Sequence, residues 1–427
     1  MWLCLGTFSV ISAQDPVANL PMGRIVGIKV FTENSLVPIE VFFGIPYALP
    51  PIGRLRFSKN IQDGKELCLH IVCHHAVRIL VMTLKILTKT ASISTYGLHG
   101  GGITLPCQDL ASDGLVVVTV AFRLSVFGFF TLKSILARGN LALLDQYLAM
   151  VWVRENIAAF GGDPNLITLV GHSSGADSVL LHIASPRSTG LFQRAIIMSP
   201  KNIWKSIEKD KNSTTQKIVQ LSESITESLG CLEETIQKSL QCLKSRSVAD
   251  FLGQYTNIWT ELFEPIPDDF LPGSEKYLPT SLATSFSSTS TKKINLDVLM
   301  GTTNLEAIDL GATNGAELLA LLGDALMLQA ARRPLSQIEK RVSLKFRSFI
   351  SNFAKFGSPD NEREWPRYMV GDSYIHEICD VDVICNQFKT GREIAFWLQY
   401  LPRLSNTLSI KGQAEKITSS DGNSLHI

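Results

Sequence analysis

The amino-acid sequence predicts an α/β protein, a sheet of buried strands whose ends feed helices, and three stretches carry that prediction. The first is Asn165–Ser178, N-L-I-T-L-V-G-H-S-S-G-A-D-S. Its Leu166–Val170 run is apolar and β-branched, as a short buried strand is, and Val179–Ala184 beyond it reads as helix. The second is Leu115–Phe130, the richest apolar run, which Arg123 interrupts. It falls short of the length a membrane span needs and is read as a buried strand. The third is Asp297–Met300, a strand that opens into Gly301-Thr302-Thr303-Asn304-Leu305-Glu306 and so sets a carboxylate at its carboxyl end.

Where the first stretch turns from strand to helix it reads Gly171-His172-Ser173-Ser174-Gly175, a G-x-S-x-G pattern. A serine on so sharp a turn is pushed out at the edge of the sheet, where it can attack a carbonyl, and the glycines let strand and helix pass close to it. Ser173 is therefore the candidate nucleophile, against the plainer reading of an ordinary tight turn.

Composition bounds the rest. The chain has 427 residues, of which 45% are hydrophobic and 19% charged, so it folds and has material for one large α/β domain or two ordinary ones. A formal charge of +1 leaves no electrostatic footprint for nucleic acid or an acidic membrane. Residues 1–13 are an apolar run ending in small residues and resemble the end of a secretory signal peptide, cleaved after Ala13, although a basic start is missing. Asn212-Ser213-Thr214 is a glycosylation acceptor, and eight cysteines fit an oxidising compartment. A secreted or lumenal protein is expected.

Taken in order, Arg24–Val30 and Pro38–Phe43 read as an antiparallel hairpin region. Val41–Phe57 is rich in Pro and Gly and reads as a stiff, packed surface loop. Val72–Ser94 has no clean periodicity. Residues 201–260 read as helical, with Ile218, Val219, Leu221, Ile225 and Leu229 marking one apolar face. Cys68, His70, Cys73, His74 and His75 lie close together in sequence, but no second ligand pair accompanies them, and neither a metal nor a cofactor is predicted.

Several blocks together resemble the type-B carboxylesterases, a family that includes the cholinesterases and their non-catalytic adhesion relatives. Phe43–Phe57 (F-G-I-P-Y-A-L-P-P-I-G-R-L-R-F) is similar to the family's N-terminal signature. His99-Gly100-Gly101-Gly102 resembles its oxyanion loop, and Gly139–Gln146 and Val151–Pro164 resemble the block leading into its nucleophile turn. The resemblance implies an α/β-hydrolase fold, with a mixed, mostly parallel sheet and helices on both faces, in one domain over residues 14–402 followed by a polar tail over 403–427. It implies small carboxylic esters as substrates, Ser173 as nucleophile and Glu306 as the acid that orients a histidine. The oxyanion donors would be the backbone N–H groups of Gly100, Gly101 and Ser174. It also implies a disulfide between Cys231 and Cys242.

The chain departs from the family at two places. Residues 59–96 do not follow its pattern, and Cys68 lacks its expected partner nearby. The family's histidine loop, G-x-x-H-x-x-E-L, corresponds to Gly311-Ala312-Thr313-Asn314-Gly315-Ala316-Glu317-Leu318, so Asn314 occupies the histidine's place. Only a short loop separates it from Glu306, where the family inserts several elements. Asparagine has no titratable nitrogen and cannot take a proton from Ser173. Neither His172, beside Ser173 on a tight turn, nor His376 is favoured as a substitute. His426 is in the polar tail, and His70, His74, His75 and His182 are read as surface or packing residues.

Four readings remain open from the sequence. The chain is an impaired esterase relative, a working esterase with an unrecognised base, or a binding or adhesion protein with a protein partner. Alternatively, skipped or misjoined exons have left these departures in a chain that otherwise follows the family.

Overall fold

The computed structural model describes residues 15–32, 35–59, 67–73, 79–84, 106–200, 211–258, 263–279, 296–302 and 316–360, with 365 and 378, and every structural statement concerns these. Twelve strands are β1 (Val17–Leu20), β2 (Gly23–Val26), β3 (Ile28–Thr32), β4 (Ser35–Ala48), β5 (Leu67–Cys73), β6 (Ile79–Leu84), β7 (Val116–Val120), β8 (Thr131–Ser134), β9 (Ala137–Arg138), β10 (Ile167–His172), β11 (Arg194–Met198) and β12 (Asp297–Gly301). Eight of them form one sheet in the order β12-β11-β10-β6-β7-β5-β4-β3. The run from β12 to β7 is parallel, and β5, β4 and β3 continue it antiparallel. This is the mixed, mostly parallel sheet of an α/β-hydrolase.

Alternation along the central strands explains why both faces are covered, since successive side chains of a strand point to opposite faces. Val116 and Val118 of β7, Leu169 of β10, and Ala195 and Ile197 of β11 enter one core with the helices Leu141–Asn156 and Ser174–Ala184. Val117, Val170, Ile196 and Met198 enter a second core, built against the helices Ala316–Ala331 and Gln337–Phe356. With no solvent-facing side, these strands read as continuous apolar runs.

Three expectations change in detail. The apolar run from Leu115 does not continue as strand to Phe130: β7 ends at Val120, and Ser125–Phe129 is a short helix. Arg123 sits at that break. It is buried, and its guanidinium grips Asp145 with two contacts, of 2.8 and 2.7 Å. The Pro/Gly-rich passage from Val41 is not all surface loop, because β4 runs through it to Ala48 and buries Phe42, Ile45 and Tyr47. Its pairing with β5 shifts register around Gly44, whose φ is 67°, which lets the strand keep a Gly and a Pro. Within Val72–Ser94 lies β6, the apolar run I-L-V-M-T-L paired between β10 and β7, in a stretch that as a whole has no clean periodicity.

The expected helix over the 201–260 region is present as Lys211–Ser228, with Ile218, Leu221, Ile225 and Leu229 buried. Cys231 and Cys242 form a disulfide. Asn212 lies in the first turn of that helix. No described helix is long and apolar enough to cross a membrane.

Candidate active site

Ser173 stands between β10 and the helix Ser174–Ala184, at φ 55° and ψ −121°. A positive φ costs a residue with a Cβ, so the surroundings must hold it there. They do so partly by one hydrogen bond: Ser173 N–H donates to the carbonyl of Met198, at the end of β11, at 2.9 Å. The preceding Gly171 is required because the helix turns back onto the strand. A Cβ at Gly171 would sit 2.2 Å from the carbonyl oxygen of Gly175.

Ser174 opens the helix, where backbone N–H groups of the first turn have no acceptor within the helix. A developing negative charge beside Ser173 would meet such donors. Gly100 and Gly101 lie outside the described residues, as do Glu306, Asn314, His376 and His426. The strand that leads to Glu306 is present as β12, ending at Gly301.

His172 is the last residue of β10 and shares a face with Val170, two positions back, so the pleat sends it toward the helix Ala316–Ala331. There its Nε2 lies 3.1 Å from Glu317 Oε1, with side chains only 5% and 10% exposed. The same Glu317 oxygen accepts a hydrogen bond from Ser199 Oγ. Burial pushes the Glu317 carboxyl up, but the contacts with His172 and Ser199 favour its charged form and leave it below the ordinary value. His172 thus lies within ion-pair distance of Glu317, and neither of its buried ring nitrogens meets hydrogen-bond geometry with a partner among the described residues. No hydrogen bond joins it to Ser173.

Glu317 and Ser199 were missed as site residues. Glu317 had a signal, as the glutamate of the G-x-x-x-x-x-E-L pattern that begins at Gly311. Ser199 had almost none beyond following an apolar strand, although it too holds a positive φ, of 46°.

On the other face of the elbow helix, His182 is a packing histidine. Its Nδ1 lies 2.6 Å from Tyr277 Oη and its Nε2 2.7 Å from Gln146 Oε1. Complete burial lowers its pKa to about 3, so it is neutral at physiological pH.

Comparison with known sequences bears on the family alone. The chain matches the family model described as "Carboxylesterase family" over residues 14–65 and 98–312. It is 32% identical over 251 residues to liver carboxylesterase of Sus scrofa, covering 49% of this chain and 44% of the relative. It is 28% identical over 357 residues to carboxylesterase 5A of Felis catus, covering 75% and 63%. To cocaine esterase of Oryctolagus cuniculus it is 32% identical over 225 residues, covering 44% and 42%. The chain spans about half the length of the curated relatives it matches.

Proposed function

The chain belongs to the carboxylesterase family, and on that premise we propose that it is a serine ester hydrolase with its nucleophile in place and its general base lost. The observation that carries the first half is Ser173 at φ 55°, on a turn between a central parallel strand and a helix. Glycine would occupy the same turn without strain, and a serine held there fits a side chain that has to be presented.

The second half rests on Asn314. It stands where the family's pattern carries a histidine, and asparagine offers nothing that accepts a proton near neutral pH. A serine without its base is a weak nucleophile, and only roughly 10³–10⁴-fold acceleration over water survives from binding and the oxyanion hole. Small carboxylic esters are the substrate class. The Cys231–Cys242 disulfide supports a secretory compartment, where Asn212 would be available for glycosylation.

The test is restoration. Asn314→His is expected to raise Ser173-dependent turnover of p-nitrophenyl acetate by about a hundredfold or more, the scale of general-base catalysis. Ser173→Ala in the same background should abolish the gain. A histidine variant no faster than the unaltered chain would sink the lost-base reading. Full turnover by the unaltered chain would mean that another base is present. A protein partner bound equally well by Ser173→Ala, with no turnover by either chain, would favour a binding protein instead.

A further inference from the structure

Among the described strands, β12 ends the sheet: Asp297-Val298-Leu299-Met300-Gly301 pairs with β11 on one flank and leaves the other open. We infer that this flank docks on β12 of a second copy of the chain, antiparallel, with a two-fold axis through Leu299.

The backbone decides which groups are free. Asp297 N–H donates to the Gln193 carbonyl, and the Gly301 carbonyl accepts from Ser199 N–H, so residues 297, 299 and 301 turn their peptide groups toward β11. Val298 and Met300, which alternate with them, turn their N–H and C=O groups to the open flank. In an antiparallel pair, facing residues that exchange both bonds alternate with facing residues that exchange none. Val298 opposite the partner's Met300, and Met300 opposite the partner's Val298, use every one of these outward groups. Leu299 then faces the partner's Leu299 on the axis.

The side chains suit the same register. Val298 and Met300 share a face with their β11 register partners, Ala195 and Ile197, which are fully buried. Yet they are themselves 46% and 50% exposed. Strands of a parallel sheet are ordinarily covered on both faces, so these two are apolar surface that a partner would bury. Each would meet the other across the interface, as an apolar cross-strand pair. The strand's charge, Asp297, comes opposite the partner's Gly301 and not opposite its like. Edges that resist pairing carry lysine, proline or a bulge, and β12 has none of these. A strand complementary to its own reverse needs no other sequence as partner, and a second copy is therefore the occupant. The contact is small beside the roughly 1,200–2,000 Å² of stable interfaces, so the dimer is reversible.

Sedimentation velocity of the full chain over a range of concentrations is expected to show a monomer–dimer equilibrium. Met300→Pro removes an outward N–H and leaves the bonds to β11, a change that an edge strand tolerates. It should abolish the dimer and keep the unfolding midpoint. Leu299→Cys tests the register, because facing residues without bonds lie about 4.5 Å apart at Cα, within disulfide reach. Mild oxidation should join two chains through residue 299, whereas Val298→Cys should not link to its own counterpart. A monomer at every concentration overturns the pairing, as does a dimer that Met300→Pro leaves intact or one that Leu299→Cys does not cross-link at residue 299. Protection of the Val298 and Met300 amides from hydrogen exchange in the monomer also overturns it, since a segment of the same chain then covers the flank. Should Met300→Pro not fold, Val298→Lys, which sets a charge on the exposed face, takes its place.

Discussion

Ser173 illustrates how a single residue trades stability for chemistry. Its φ of 55° lies where a side chain crowds the backbone, and the chain around it imposes that state. Strain of this kind costs about 1–3 kcal/mol. Glycine would relieve it, yet glycine also gives the unfolded chain more freedom to lose, a penalty of about 0.5–1 kcal/mol. The first term is the larger, so Ser173→Gly is expected to stabilise the protein by about 1 kcal/mol while removing all labelling by a fluorophosphonate. Urea unfolding checks it. A midpoint that is unchanged or lower would mean the turn stores no strain at this residue.

At the scale of elements, the elbow works because strand and helix approach more closely than any side chain allows. A Cβ at Gly171 would lie 2.2 Å from the Gly175 carbonyl oxygen and 2.6 Å from the Ala176 nitrogen, both backbone atoms of the helix. Backbone cannot step aside as a flexible side chain can, so Gly171→Ala must part β10 from its helix. The expected loss is about 3 kcal/mol, at the upper end for overpacking, together with loss of Ser173 labelling. A variant that labels normally and unfolds at the original midpoint would contradict the close approach. This element was legible because its signals are local: an apolar β-branched run, glycines at fixed offsets, then a helical run. β6 has an apolar run too, I-L-V-M-T-L, but no glycines at fixed offsets mark it, and its place between β10 and β7 is set by pairing across the sheet. β4 was misread in part because Gly44 and Pro46 are loop residues by local preference, and only a register shift against β5 admits them to a strand.

Across the whole molecule, the sheet separates two cores, and the candidate site lies where residues from both meet at the strand ends. That is why the site was only half readable. Ser173 and Ser174 are neighbours in the chain, whereas the contact of His172 with Glu317 depends on a pleat that aims His172 at one face and on a distant helix that covers it. The opposite face carries its own long-range tie, and it sets a pH dependence for the entire fold. His182, on the elbow helix, is fully buried between Tyr277 and Gln146, and burial lowers its pKa to about 3. The unfolded chain would bind a proton there near pH 6.5, so between these values the unfolded state holds more protons than the folded one. The stability His182 contributes is therefore fully present above about pH 6.5 and is lost as pH falls toward 3, at up to about 1.4 kcal/mol per pH unit. His182→Gln removes the titration but keeps a polar side chain. Its stability deficit against the unaltered protein should shrink steadily from pH 6.5 to 4.5 in chemical denaturation, because the carboxylates common to both chains cancel. A deficit that stays constant over that range would show that His182 accepts its proton in the folded state as readily as in the unfolded one, and the buried neutral imidazole would have to be abandoned.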